Sequence, residues 1–242
     1  ERGDYVFIIT GSLTRAGVSS AIAENDGPVG VASLVRAITH GFNAIPLILI
    51  DETLCDKMSA ITRVAGPNVV TREQAQIAVE TPRYTSIAVV EGGKIDDTEA
   101  RAHAAGLISD LNPKAVISVE RSGLSKDGTY RNARGEDYSE GRARLDHVVL
   151  EAAKRSIPTI GIGDGGNEIG MGAIPDAVAA HIPHGPVLCS EIATDVLFPV
   201  GVSNWGCYAL TAALAIMTGN EDLIHTPDLE RRLLEACPQI GL

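Results

Sequence analysis

The stretch Thr159-Ile160-Gly161-Ile162-Gly163-Asp164-Gly165-Gly166-Asn167-Glu168-Ile169-Gly170-Met171-Gly172 carries an apolar strand straight into a glycine-packed loop that holds two carboxylates and an amide. Glycine lets a backbone take positive φ and approach a ligand closely, so this density of glycine directly after a strand marks a site rather than an ordinary turn. Outward from this loop, residues 5–10, 45–51, 85–91, 114–120 and 157–163 read as strands, apolar on both faces as parallel strands covered by helices are. Residues 67–71 and 187–190 are weaker strand candidates.

Helical patterns fill the gaps. One lies between Gly27 and Gly41, with Pro28 at its first position and glycine past its end. Leu145, Val148, Val149 and Ala152 mark the stripe of another, and Asp96-Asp97-Thr98-Glu99 reads as an acidic helix start. Residues 205–217 are apolar nearly all round, which predicts a helix in the core or at a subunit contact, and hence a possible homo-oligomer. The alternation predicts an α/β fold: a parallel or mostly parallel sheet sandwiched between helices, Rossmann-like and three-layered. With 242 residues, 45% hydrophobic and 4% aromatic, residues 1–242 suffice for a single domain around one aliphatic core.

Three readings fit the loop. Gly161-x-Gly163-x-x-Gly166 after a strand has the spacing of a dinucleotide fingerprint, but Asp164 stands where a pyrophosphate needs bare amides, so no nucleotide cofactor is expected. Gly163-Asp164-Gly165-x-Asn167 is similar to the magnesium loop of haloacid dehalogenase-type phosphatases. That chemistry needs an Asp-x-Asp pair on an early strand, and Asp51-Glu52-Thr53-Leu54 lacks the second aspartate. In the third reading the run from Gly163 to Gly172 resembles a motif of the D-glutamate cyclase family nearly residue for residue.

The resemblance continues along the chain. Asn25-Asp26-Gly27-Pro28-Val29-Gly30 resembles the family's Asp-Gly-Pro-Pro-Gly segment, with Val29 in place of the second proline and Asn25 where threonine is usual. Glu120-Arg121-Ser122-Gly123 resembles its Glu-Arg-Pro-Gly. Ala193-Thr194-Asp195 and Gly201-Val202-Ser203-Asn204-Trp205-Gly206 resemble its Ala-Thr-Asp and Gly-Val-Ser-Asn-Trp-Gly stretches. The motifs keep their order and cover most of residues 5–218. The unit stands alone in bacterial members and is fused to a second domain in eukaryotic mitochondrial relatives.

Composition narrows the partners. The net charge of −11 argues against nucleic acid, whose phosphates need a surplus of Lys and Arg, and points to a small molecule. No apolar run approaches the roughly 20 residues of a membrane helix, so no membrane partner is expected. Cys55, Cys189, Cys207 and Cys237 form no Cys-x-x-Cys and read as buried thiols in a reducing compartment. The expected location is the cytoplasm, or the mitochondrial matrix for a chain like the eukaryotic relatives. The six histidines are scattered, and Gly-x-Ser-x-Gly and P-loop motifs are absent.

Ligands of parallel α/β sheets bind beyond the carboxyl ends of the strands, which here read Asp51, Glu91, Glu120 and Asp164. For Asp51 and Glu91 the expectation is helix capping; Glu120 and Asp164 lie inside motifs shared with the family. Carboxylates gathered closely must share protons, meet a cation or receive an amine. Oxygen donors suit Mg²⁺ or Mn²⁺, with Asp164, Glu168 and Asp195 the expected ligands and Glu120 nearby; a metal-free acidic pocket for a substrate ammonium is the rival. Residues 121–144 carry six basic and four acidic side chains and read as a lid that brings Arg121, and with it Arg131, over the crevice to grip carboxylates. The Gly27 to Gly30 helix start offers free amides for an anion.

The resemblance implies a hydro-lyase that converts D-glutamate to 5-oxo-D-proline and water. In that scheme Arg121, Gly27 and Gly30 hold the α-carboxylate, and a metal on Asp164 and Glu168 polarises the γ-carboxyl. Glu120 or Asp26 takes the amine proton, and Asn167 and Asn204 orient the leaving oxygen. The alternatives are a metal-dependent phosphatase or other hydrolase, and a non-catalytic sensor of acidic amino acids.

Overall fold

Every residue of Ile45-Pro46-Leu47-Ile48-Leu49-Ile50 is buried, the mark of a strand covered on both faces. It is β2 of a seven-stranded, all-parallel sheet in this computed structural model, which describes residues 2–11, 13–14, 18–19, 22–81 and 86–242. The others are β1 (Tyr5–Thr10), β3 (Asn68–Val69), β4 (Ile87–Gly92), β5 (Val116–Val119), β6 (Thr159–Gly163) and β7 (Val196–Pro199), in the order β3-β4-β2-β1-β5-β6-β7. At the centre Ile8 of β1 sits beside Ile48 of β2 and Ile117 of β5.

Helices α1 (Pro28–Phe42), α2 (Cys55–Ala65), α8 (Ser203–Thr218) and α9 (Pro227–Ile240) cover one face, packing Val31, Met58, Cys207 and Leu233 against Ile8, Ile48 and Val119. On the other, α3 (Arg72–Glu80), α4 (Asp97–Leu111) and α5 (Asp146–Lys154) bring Ala75, Leu107 and Val148 to Phe7, Leu47 and Val116. Two short helices, α6 (Pro175–His181) and α7 (Gly185–Leu188), connect β6 to β7.

The α/β expectation holds, with corrections at the periphery. Residues 187–190 are not a strand: Pro186 starts the α7 turn there, and the last strand is β7, an edge strand with partly exposed residues and so without an apolar run to betray it. Thr85, first residue of the expected 85–91 strand, lies outside the described residues. Gly41 falls inside α1, which ends instead on Asn43 in the left-handed conformation. Trp205 is 60% exposed, so α8 is not a core helix all round.

Candidate active site

The strand order reverses between β1 and β5, and such a switch point opens a crevice at the carboxyl edge of the sheet. Glu120 stands there, directly after β5, at φ 48°. A glutamate in the left-handed region is strained, and such strain concentrates at functional sites. Gly27 packs beneath it at φ 90°; a Cβ on Gly27 would lie 2.8 Å from Glu120 Cβ and 2.9 Å from Thr10 Oγ1. Only glycine lets the α1 start come this close.

The starts of α1 and α8 cap one another. Asp26 accepts hydrogen bonds from the Ser203 and Asn204 amides at 3.1 and 2.8 Å, satisfying the first turn of α8. Asn204 Oδ1 in return accepts from the Gly27 and Gly30 amides at 3.0 and 2.6 Å. Gly30 is needed because a Cβ there would sit 2.7 Å from Asn204 Cα. The amides expected to receive a substrate carboxylate are therefore already engaged, and Gly27, Gly30 and Asn204 act as the joint between the two helices.

Glu168 serves the glycine loop in the same manner. Its carboxylate accepts from the amides of Asp164 (3.2 Å), Gly165 (2.7 Å) and Gly166 (2.7 Å), standing where the dinucleotide reading would need a phosphate. With both oxygens engaged and the side chain buried, it shapes the loop and turns Asp164 into the crevice. Asn167 donates to the Arg131 carbonyl at 2.7 Å and ties the loop to the 121–144 segment.

The three carboxylates that do converge are Asp26, Glu120 and Asp164, each offering one oxygen within 4.8 Å of the others. Burial, with Glu168 and Asp164 close by, pushes the Glu120 carboxyl well above its ordinary range, against the opposing hydrogen bond from Ser203 Oγ. Burial first, then Glu168 and Asp26, raises Asp164 to about 7. Beside them Thr10 Oγ1 is fully buried with no hydrogen-bond partner among the described residues.

Two expected site residues lie elsewhere. Arg121 is 2% exposed, and its guanidinium bonds Asp51 at 2.5 and 3.1 Å, the Gly11 carbonyl at 2.9 Å and the Ala143 carbonyl at 2.5 Å. Its donors face inward, so it cannot grip a substrate; it anchors the 121–144 segment to β1 and β2. Asp195 precedes β7 and accepts from the Thr159 amide at 2.8 Å, at the amino end of β6. A five-residue strand at about 3.3 Å per residue puts it roughly 16 Å from Asp164, too far for the two to share an ion. The other strand-end acids do not cap helices either: Asp51 pairs with Arg121, and Glu91 accepts from Arg72 at 2.5 Å.

The crevice encloses about 860 Å³, walled by the carboxylate cluster on one side and by residues 132–142 of the lid segment on the other. Lid and scaffold are pinned together, since Arg142 donates to the Leu13 carbonyl and lies 3.7 Å over the Tyr138 ring. Arg131 bonds Asp127 and the Gly135 carbonyl and does not line the pocket; among the described residues the lining cation with spare donors is Arg134, paired in the open with Glu136 at 2.9 Å. Sequence reasoning missed Arg134, Ser203 and Thr10. Ser203 lies within a shared motif and was legible as a hydroxyl in the first turn of an uncharged helix, whereas nothing local distinguishes Thr10.

Over residues 1–242 the chain matches the profile of a family described as D-glutamate cyclase-like, C-terminal. It is also 33% identical over 195 residues to the human protein D-glutamate cyclase, mitochondrial, an alignment that covers 80% of this chain and 30% of the human protein. The matched part thus spans under a third of that relative's length.

Proposed function

Since the chain belongs to the D-glutamate cyclase-like family, we propose that its carboxyl-edge crevice converts D-glutamate to 5-oxo-D-proline and water, a hydro-lyase reaction on an acidic amino acid. The observation that carries this reading is the convergence of Asp26, Glu120 and Asp164, drawn from three separate motifs, on one pocket.

The donor set fits a divalent cation, Mg²⁺ or Mn²⁺: three carboxylate oxygens close together, with the Thr10 hydroxyl, unpartnered among the described residues, beside Glu120. When bound by Asp26, Glu120 and Asp164, such an ion supplies polarisation of the γ-carboxyl and offsets the mutual repulsion of its ligands. The chain's own groups do the rest. Arg134 receives the α-carboxylate in place of the inward-facing Arg121, because a guanidinium fork matches a carboxylate and its exposed pairing with Glu136 is weak. The pocket walls hold the substrate bent, so that its amine lies against its own γ-carbon; this near-attack geometry supplies much of the rate. Glu120 takes one proton from the ammonium and Asp164, through the oxygen not offered to an ion, takes a second as the nitrogen bonds the γ-carbon; the two protons pass on to the departing γ-carboxylate oxygen, which leaves as water.

The phosphatase alternative loses support, since Asp51, the candidate nucleophile, is locked to Arg121 and β1 ends in Thr10 and Gly11. Chiral chromatography of D- and L-glutamate incubated with the protein, with EDTA or with added Mn²⁺ or Mg²⁺, tests the reading. Product from the D isomer alone, lost on chelation, supports it. Binding of D-glutamate without turnover points to a sensor, and absence of both refutes the proposal.

A further inference from the structure

Helix α8 has no charged residue in 16 positions, in a chain of net charge −11. Cys207, Thr211 and Ala215 face inward, whereas Trp205, Ile216 and Met217 are 60%, 83% and 81% exposed. At 100° per residue, Trp205, Ala209, Ala213 and Ile216 form one outer stripe, and Met217 leads from it to Leu210 and Leu214. Those two leucines wall an apolar groove of about 300 Å³ whose other sides include Leu34, Ile38, Phe42 and Ile117. Its rim holds one charge of each sign, Asp4 and Lys114, 3.7 Å apart.

Projection and hollow therefore lie side by side on one continuous uncharged surface. Self-complementarity of this kind is what a two-fold, isologous contact requires. We propose that the chain forms a homodimer through α8, with the two helices antiparallel, their backbones crossing between Ala213 and Ile216, and Met217 of each copy seated in the groove of the other. Electrostatics favours a second copy meeting this surface here: two strongly acidic molecules repel wherever acidic faces meet, and among the described residues α8 and its groove offer no charge beyond the balanced Asp4 and Lys114 pair. Size agrees as well. The exposed half of a 16-residue helix presents roughly 400 Å², and with the groove wall and Phe42 it nears the about 600 Å² per partner of the smaller stable interfaces.

Light scattering behind size exclusion, at loadings up to about 100 μM where even a dimer of Kd ~10 μM is mostly associated, reads the state directly. The expected result is a dimer for the wild type, with an unfolding midpoint that rises with protein concentration, and a folded monomer for Ile216→Glu/Met217→Glu, with a midpoint that does not. In a second arm, Ala213→Cys forms a disulfide with its own copy under mild oxidation, as a residue beside the two-fold axis does. A wild type that stays monomeric, a glutamate variant that stays dimeric, or a dimer of the Ala213→Cys variant that does not cross-link overturns the proposal.

Discussion

Removing the guanidinium of Arg121 tests the division between structural and substrate-facing cations. In the Arg121→Met variant the Asp51 carboxylate, in a site 2% exposed, keeps only the Ala143 amide at 2.7 Å, and the Gly11 and Ala143 carbonyls lose their donor. In the folded wild type, burial pushes the Asp51 carboxyl up, but the Arg121 charge and its hydrogen bonds more than offset this and hold it below the usual range. Stranding one partner of a buried ion pair costs about 3–5 kcal/mol, a large share of the roughly 5–15 kcal/mol that holds a domain folded. At about 2–4 °C per kcal/mol for a chain of this size, the melting point should drop by roughly 10–15 °C. Urea denaturation of Arg121→Met, Asp51→Leu and the double variant measures the effect. The double variant should recover much of the loss, giving a coupling of about 2–3 kcal/mol, because no unpaired charge remains buried. A loss under about 1 kcal/mol for Arg121→Met, with substrate affinity collapsing instead, would refute the assignment and return Arg121 to the pocket.

Three further outcomes are expected. Asn204→Ala strands the Gly30 amide and leaves the Gly27 amide only its bond to Asp26, and should cost about 1–3 kcal/mol in urea titrations, with a neutral effect counting against the reciprocal caps. Asp164, raised to about 7 in the metal-free protein, keeps in the folded state a proton that the unfolded chain has released above about pH 4, so stability falls as pH rises through that window and levels off above it. Melts of wild type and Asp164→Asn in EDTA across that range should converge at its acid end and diverge in favour of the variant at its upper end; the opposite trend would show that Asp164 is not destabilised as an anion. Arg134→Ala should raise KM about tenfold or more with kcat little changed, and unchanged kinetics would remove Arg134 from substrate binding.

The amino-acid sequence by itself determined most of the scaffold and part of the site. Strands buried on both faces must be apolar at nearly every position, which is why β1, β2, β4, β5 and β6 can be read from the chain, and why the acids that follow β5 and β6 fall at one edge. The edge strand β7, with one side open to solvent, escapes that rule, and the misplacement of Asp195 follows: a residue just before a parallel strand lies at the amino edge, away from Asp164 just after one. Tertiary structure decided who meets whom. Arg121 is equally fitted in sequence to a substrate carboxylate or to Asp51, and only the packing of β2 beside β1, with Ala143 folding back, gives it to Asp51. Asp26 and Asn204 are remote in the chain, and it is the packing of α1 on α8 that makes each the cap of the other. Residue type limits which bonds a side chain can make; distance in the folded chain selects among them, because a buried charge or amide takes the nearest partner that spares it an unpaired state.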